Sequence, residues 1–223
     1  MRLILIGFGT VGQGLAEILR DKRELLRSAY GFEPTIVGVH TLEGSVYAKD
    51  GLSIDYLLAA AQKRHMDHYP DAPGLERGWD ALQMIRAGGA DVLIEAAYTN
   101  LKTAQPALDT CFAAFDNELH VVLANKGPVA LAYEQLVDAA ARAGKLLRFE
   151  ATVMSGTPSI RLAMQSLAGC AITEAKGILN GTTNYILTQM EGGLDYAAAL
   201  AQAQKLGYAE ADPTGDVDGW DAA

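Results

Sequence analysis

A run of apolar residues, Leu3-Ile4-Leu5-Ile6, feeds directly into Gly7-Phe8-Gly9-Thr10-Val11-Gly12, and beyond it apolar residues recur at Val11, Leu15, Ile18, Leu19, Leu25 and Leu26. That order reads as a buried strand, a glycine turn and a helix from Val11 to Leu26. In such a unit the first glycine turns the chain and the second lets backbone approach a pyrophosphate. The helix N-terminus adds free N–H groups and the positive end of its dipole, both suited to phosphate. Twenty-three glycines are spread through the chain, so a strand–turn–helix with incidental glycines is the competing reading, and the context is what separates the two.

The same rhythm continues. Thr35 to Val39, Asp91 to Ala97 and His120 to Ala124 are further apolar runs of strand length, and helical patterns lie between them. Pro106 suits the first turn of a helix running to Phe115, and a second helix leads from Gly127-Pro128 to Gly144. Alternating strands and helices predict an α/β fold with a Rossmann-type doubly wound parallel sheet over residues 1–130. Beyond residue 130 the punctuation changes, and 131–223 reads as a separate mixed α/β region. Its expected elements are a strand from Leu146 to Val153 and a helix capped by Thr157 with Pro158 at its first position. A strand from Ile172 to Leu179 follows, then helices around Tyr185 to Met190 and from Asp195 to Leu206, the last stopped by Gly207. Asp67 to Gly78, with two prolines and two glycines, reads as a surface loop inserted between elements.

With 223 residues, half of them hydrophobic, the chain has enough apolar side chain for a real core. A formal charge of −9 offers no broad cationic surface for nucleic acid or anionic lipid. No window approaches the length of a membrane span, and the N-terminal apolar run is too short for a signal peptide. Cys111 and Cys170 are too few for a disulfide scaffold and are expected to be buried thiols. These features together predict a soluble, cytoplasmic protein. The four histidines have no nucleophile motif around them and are read as structural or surface residues.

Several residues sit where a doubly wound sheet builds its site. An acidic residue near the end of the second strand would hold a ribose 2′-hydroxyl; here the sequence is Val39-His40-Thr41-Leu42-Glu43. Glu43 fits if the strand runs further than Val39, and no nearby arginine in sequence favours a 2′-phosphate, so NAD and NADP both stay open. Lys126, just past the run ending at Ala124, would face a ligand crevice or be a solvated loop lysine. Thr99-Asn100 holds the equivalent place one strand earlier, or caps a helix. Glu210, Asp212, Asp216, Asp218 and Asp221 crowd the last residues, interleaved with Pro213, Gly215, Gly219 and Trp220. Such a run is usually a solvated face, but this composition also suits a shaped loop that aims carboxylates at an ammonium group. A calcium loop cannot be completed from Asp216-Val217-Asp218-Gly219.

These motifs together resemble the homoserine dehydrogenase family. The resemblance spans essentially the whole chain and rests on Gly7 to Gly12, Asn125-Lys126-Gly127-Pro128-Val129-Ala130, Phe149-Glu150-Ala151-Thr152-Val153, Gly177 to Leu187, and Gly207-Tyr208-Ala209-Glu210-Ala211-Asp212-Pro213. It implies interconversion of L-homoserine and L-aspartate 4-semialdehyde with NAD or NADP, in threonine and methionine biosynthesis, by a homodimer, with 131–223 expected to be part of a mixed α/β substrate and dimerisation domain. On that resemblance Gly7, Phe8, Gly9, Thr10, Val11 and Gly12 would hold the pyrophosphate, and Thr99 and Lys126 the nicotinamide end. Gly207 would touch the cofactor. Lys126 and Asp216 would serve catalysis, and Glu210, Asp221 and Lys126 would bind substrate. A monovalent cation, Na+ or K+, would fall on oxygens of Glu150, Val153, Ser155 and Thr157. The family's acid–base lysine would lie four residues after Asp221, past Ala223 where the sequence stops. The 223-residue chain is therefore expected to bind cofactor with little or no turnover. The alternative is a non-catalytic dinucleotide-binding or regulatory module of the same fold.

Overall fold

The computed structural model describes residues 1–209 and 213–219, and contacts divide the chain into two compact units, Met1–Thr157 and Pro158–Ala223. The first is built on a seven-stranded sheet in the order β4-β3-β2-β1-β5-β6-β7. Its strands are β1 (Arg2–Ile6), β2 (Thr35–Thr41), β3 (Gly44–Ala48), β4 (Leu75–Arg77), β5 (Val92–Glu95), β6 (His120–Leu123) and β7 (Leu147–Arg148). Strands β2, β1, β5, β6 and β7 run parallel, and β3 and β4 add antiparallel at one edge. The helices are α1 (Thr10–Asp21), α2 (Arg23–Tyr30), α3 (Ile54–Gln62), α4 (Ala81–Arg86), α5 (Ala107–Asp116) and α6 (Lys126–Ala143).

Side-chain alternation along β1 sets the two layers, since successive residues of a strand face opposite sides of the sheet. Leu3 and Leu5 pack with Leu19 of α1 and Leu57 and Leu58 of α3. Ile4 and Ile6 pack with Met84 and Ile85 of α4, Cys111 and Phe115 of α5 and Leu136 of α6. With both faces of the parallel strands covered, the strands read as unbroken apolar runs, which is why they stood out in the sequence.

Local signals start the helices. Ser53 caps α3, Asp80 and Gln83 form a reciprocal capping box on α4, and the Asn125 side chain caps α6. The helix expected from Val11 to Leu26 is broken at Lys22 into α1 and α2. The inserted loop contributes strand β4, which pairs with β3 through Val46–Arg77 and Ala48–Leu75. The strand expected from Leu146 shrinks to β7, followed by two short 3-10 turns at Glu150–Thr152 and Met154–Gly156. Residue 130 lies inside α6, and β7 still pairs with β6, so the sheet runs on past that position.

In the second unit, α7 (Ser159–Arg161), α8 (Gly181–Glu191), α9 (Tyr196–Lys205) and α10 (Thr214–Val217) follow in order. Pro158, not Thr157, is the N-cap of α7. Asn180 caps α8 and Asp195 caps α9. Gly207, at φ +78°, ends α9 in the left-handed conformation that glycine adopts at little cost. Ile186, Ala199, Ala203 and Ala209 form this unit's small core. The stretch from Ile172 to Leu179 is not a strand; its large apolar side chains, Ile172, Ile178 and Leu179, are each more than half exposed. Cys170 is exposed, against expectation, while Cys111 is buried as expected. No helix among the described residues is long and apolar enough to cross a membrane.

Candidate functional site

The glycine turn lies where β1, β2 and β5 end side by side. Gly7 has φ +91°, and a Cβ added to it would meet the Ala96 and Ala97 backbone at 2.5 Å. Its N–H bonds the His40 carbonyl at 2.8 Å, and Ala96 N–H bonds the Ile6 carbonyl at 2.7 Å. A Cβ on Gly12 would meet the Gly7 carbonyl oxygen at 2.6 Å. Gly7 and Gly12 are thus required by the protein's own packing. Gly9 is different: a Cβ there would find nothing within 4 Å. It is the N-cap of α1, no side chain caps that helix, and the first turn carries no acidic residue. Space and unclaimed donors coincide above Gly9, which is the arrangement a pyrophosphate needs.

A cavity of about 630 Å3 opens over this turn. One wall comes from the end of β2 and the turn after it, His40 through Glu43, with Arg64 and His65 from the end of α3. The opposite wall is the loop after β5, including Ala97, Tyr98, Asn100, Gln105 and Pro106. The second strand does extend beyond Val39, and Glu43 reaches the cavity in the tight β2–β3 turn. Arg64, at φ +58°, ends α3 beside it, and Met66 N–H ties that segment to the Glu43 carbonyl at 2.9 Å. Arg64 lies far from β2 along the chain, and only the tertiary fold brings it to this wall. Two histidines read as structural or surface residues, His40 and His65, also line this wall. His65 Nδ1 accepts from the Asp67 N–H at 3.2 Å and lies 3.3 Å from the Asp67 carboxylate.

Beneath the β5 wall sits Glu95, a charged residue with no exposed surface. Its Oε1 accepts from Ala97 N–H at 2.9 Å and from the Asn125 amide at 3.3 Å, and its Oε2 from the Thr110 hydroxyl at 3.3 Å. Burial pushes its carboxyl above the usual carboxylate range, and the three hydrogen bonds only partly oppose this. Beside it, burial and the Glu95 charge hold the Cys111 thiol protonated. Asn125 also donates to the Tyr98 carbonyl at 3.2 Å and accepts from Gly127 N–H at 3.1 Å. Lys126 is therefore the first residue of α6, half-buried, at the carboxyl end of β6.

Phe8 is buried, while Thr10 and Val11 are exposed on the first turn of α1. Thr99 is half-buried between the cavity residues Tyr98 and Asn100, and Asn100 turns the loop by accepting from Lys102 and Thr103 N–H. Glu150, Val153, Ser155 and Thr157 lie on the two successive 3-10 turns or at their ends. In the second unit, Gly207 is exposed and Asp216 is half-buried in α10. Glu210 and Asp221 lie outside the described residues. No cluster of three or more His, Cys, Asp or Glu suited to a metal occurs among the described residues.

Comparison with known proteins agrees over the whole length. Residues 7–150 match the family described as homoserine dehydrogenase, NAD binding domain, and residues 158–223 match homoserine dehydrogenase. The chain is 42% identical to the homoserine dehydrogenase of Methanocaldococcus jannaschii, covering 100% of this chain and 66% of that protein. It is 45% identical to an NAD(+)-dependent homoserine dehydrogenase of Pseudomonas canavaninivorans, covering 99% of this chain and 62% of that one. A hyperthermophilic archaeal homoserine dehydrogenase solved in complex with NADPH superposes with a TM-score of 0.85 at 26% identity, over 99% of this chain and 66% of that one. The homoserine dehydrogenase of Thermoplasma acidophilum gives 0.79 at 25% identity, over 100% and 65%. The chain thus spans about two thirds of the length of the relatives it matches, and on the strength of both its domain matches it belongs to the homoserine dehydrogenase family.

Proposed function

We propose that the cavity over Gly9 binds NAD or NADP and that the protein serves the interconversion of L-homoserine and L-aspartate 4-semialdehyde. The observation that carries this reading is the open, uncapped N-terminus of α1 above Gly9, with Lys126 held by Asn125 at the carboxyl end of β6, two strands along the sheet from β1. The donors of the Gly7 to Gly12 turn would take the pyrophosphate, and the β2 wall the adenosine ribose. That leaves the β5 wall, Thr99 and Lys126 for the nicotinamide end. A bound nicotinamide supplies the hydride chemistry; the chain supplies orientation and proton handling.

Lys126 is assigned to the reacting oxygen, where a cation stabilises alkoxide character as the aldehyde and alcohol interconvert. Asp216 is assigned to placing the substrate or a proton-transfer water, and Glu210 and Asp221 to the substrate's ammonium group. Gly207 is assigned a cofactor contact. Oxygens of Glu150, Val153, Ser155 and Thr157 are assigned to a monovalent cation, an all-oxygen set that suits a hard ion. We further assign the protein to a homodimer in threonine and methionine biosynthesis in the cytoplasm. Two free cysteines, one of them exposed, fit a reducing compartment.

Titration of the 223-residue chain with NADH and NADPH, followed by L-homoserine or L-serine, tests this reading. Saturable cofactor binding, with bound-cofactor fluorescence altered by L-homoserine and not by L-serine, is expected, and Lys126→Ala should blunt the homoserine response. Cofactor binding with no homoserine response favours a regulatory module, and no binding contradicts the reading.

A further inference from the structure

Resting on the reading that the cavity takes a dinucleotide, we infer that Glu95 is a positioning residue for the nicotinamide end: it latches the loop after β5 to the turn that starts α6. The carboxylate has no exposed surface and, among the described residues, no ion pair. It lies at the end of β5, in register with Ile6 of β1 and Leu123 of β6, on the face shared with Leu93 and Cys111. Burying a charge without a countercharge is costly, and an apolar side chain would pack the same space more cheaply. Two of the three donors that offset that cost come from the walls of the site. Ala97 N–H belongs to the cavity loop, and the Asn125 amide belongs to the residue that immediately precedes Lys126.

The two segments are locked at further points. Asn125 reaches the Tyr98 carbonyl at 3.2 Å, and Gly127 runs so close to the loop that a Cβ there would meet the Asn100 carbonyl oxygen at 2.9 Å. Because Ala97 N–H and the Asn125 amide share a single oxygen, Oε1, a shift of the Glu95 side chain moves both walls together. The β2 wall, assigned to adenosine, has no bond to Glu95. Loss of the latch should therefore act on one end of the ligand.

ADP-ribose, which lacks nicotinamide, separates the two ends. Wild type, Glu95→Leu, Glu95→Gln and Asn125→Ala are titrated with NADH and ADP-ribose, or with NADPH and ADP-ribose 2′-phosphate if NADPH binds more tightly, and circular dichroism verifies folding. Wild type should bind the complete cofactor more tightly than ADP-ribose. Glu95→Leu and Asn125→Ala should weaken the complete cofactor by about tenfold and ADP-ribose by no more than about twofold. Glu95→Gln keeps an oxygen for both donors and can donate to Thr110, so it should stay within about threefold of wild type for both ligands. Parallel loss of both ligands, or no loss of either in the Glu95→Leu and Asn125→Ala variants, overturns the latch. If Glu95→Leu does not fold, Asn125→Ala decides, since loss of one helix cap is a small fraction of a domain's stability. A wild type that binds neither ligand instead removes the cofactor reading on which the latch rests.

Discussion

Asn180 donates its side-chain amide to the Asp216 carboxylate at 2.7 Å while its own carbonyl oxygen accepts the Thr183 N–H at 2.8 Å. The second bond is the N-cap of α8, so the cap fixes which way the amide points and leaves its N–H to face Asp216. Thr183 Oγ1, 3.0 Å from the same Asn180 oxygen, reinforces that orientation. A residue assigned to substrate placement is thus aimed by a helix cap.

Replacing Asn180 separates those two jobs. Asn180→Ala removes the cap and should destabilise the second unit by about 1 kcal/mol, with little pH dependence. Asn180→Asp keeps a competent cap but sets a carboxylate against Asp216. It should cost stability at neutral pH and recover on acidification as one of the pair takes up a proton. Urea unfolding of both variants at neutral and mildly acidic pH distinguishes these outcomes; identical pH profiles would contradict the contact.

Buried Glu95 gives the fold a pH dependence of definite sign. Its folded carboxyl holds a proton more tightly than in the unfolded chain. Its contribution is therefore fully present below the unfolded glutamate value of about 4.3 and declines as pH rises through the raised folded value. Glu95→Gln, which does not titrate, should lack that decline, so its stability relative to wild type should rise with pH across this window. A constant difference between the two melting curves across the same window would contradict an elevated Glu95.

At the β2 wall a carboxylate and a guanidinium face the same space. Glu43 suits a ribose 2′-hydroxyl and repels a 2′-phosphate, while Arg64, which has no ion pair among the described residues, suits the phosphate. Arg64→Ala should weaken NADPH by about tenfold and leave NADH nearly unchanged, and Glu43→Gln should strengthen NADPH by about threefold. Parallel titrations of the two cofactors measure the ratio; equal effects on both would place neither residue at the 2′ position.

The parts legible in the sequence were those whose cause is local. Apolar runs such as Leu3 to Ile6, buried on both faces, and His120 to Leu123, buried on one face and half-buried on the other, declared themselves as parallel strands, and the Gly7 to Gly12 turn carried its own chemistry. The β3 and β4 strands were not legible: Gly44–Ala48 opens on Gly and Ser, and Leu75–Arg77 is a three-residue edge strand within a Pro/Gly-rich stretch. Both are defined by pairing, which composition does not reveal. Conversely, the apolar residues of Ile172 to Leu179 read as a strand but have no pairing partner among the described residues, and a strand does not form alone. Glu95 was hidden because it lies inside the run Asp91 to Ala97, where nothing local tells whether its carboxyl is buried or turned to solvent. Arg64 and His65 were hidden because α3 returns them to β2 from more than twenty residues away. Only tertiary structure makes them part of the site.

Gly9 offers the most direct measurement of the cofactor site, because its two possible roles predict opposite results. A Cβ at Gly9 meets no protein atom within 4 Å, and the residue's φ of −77° is open to alanine, whereas a Cβ at Gly12 meets the Gly7 carbonyl oxygen at 2.6 Å. Gly12→Ala should therefore unfold at lower urea. Gly9→Ala should keep wild-type stability to within about 0.5 kcal/mol while losing about tenfold or more in NADH and NADPH affinity, as its methyl occupies the pyrophosphate position. A Gly9→Ala chain that retains wild-type stability and still binds both cofactors as tightly as wild type would contradict a dinucleotide seated on this turn.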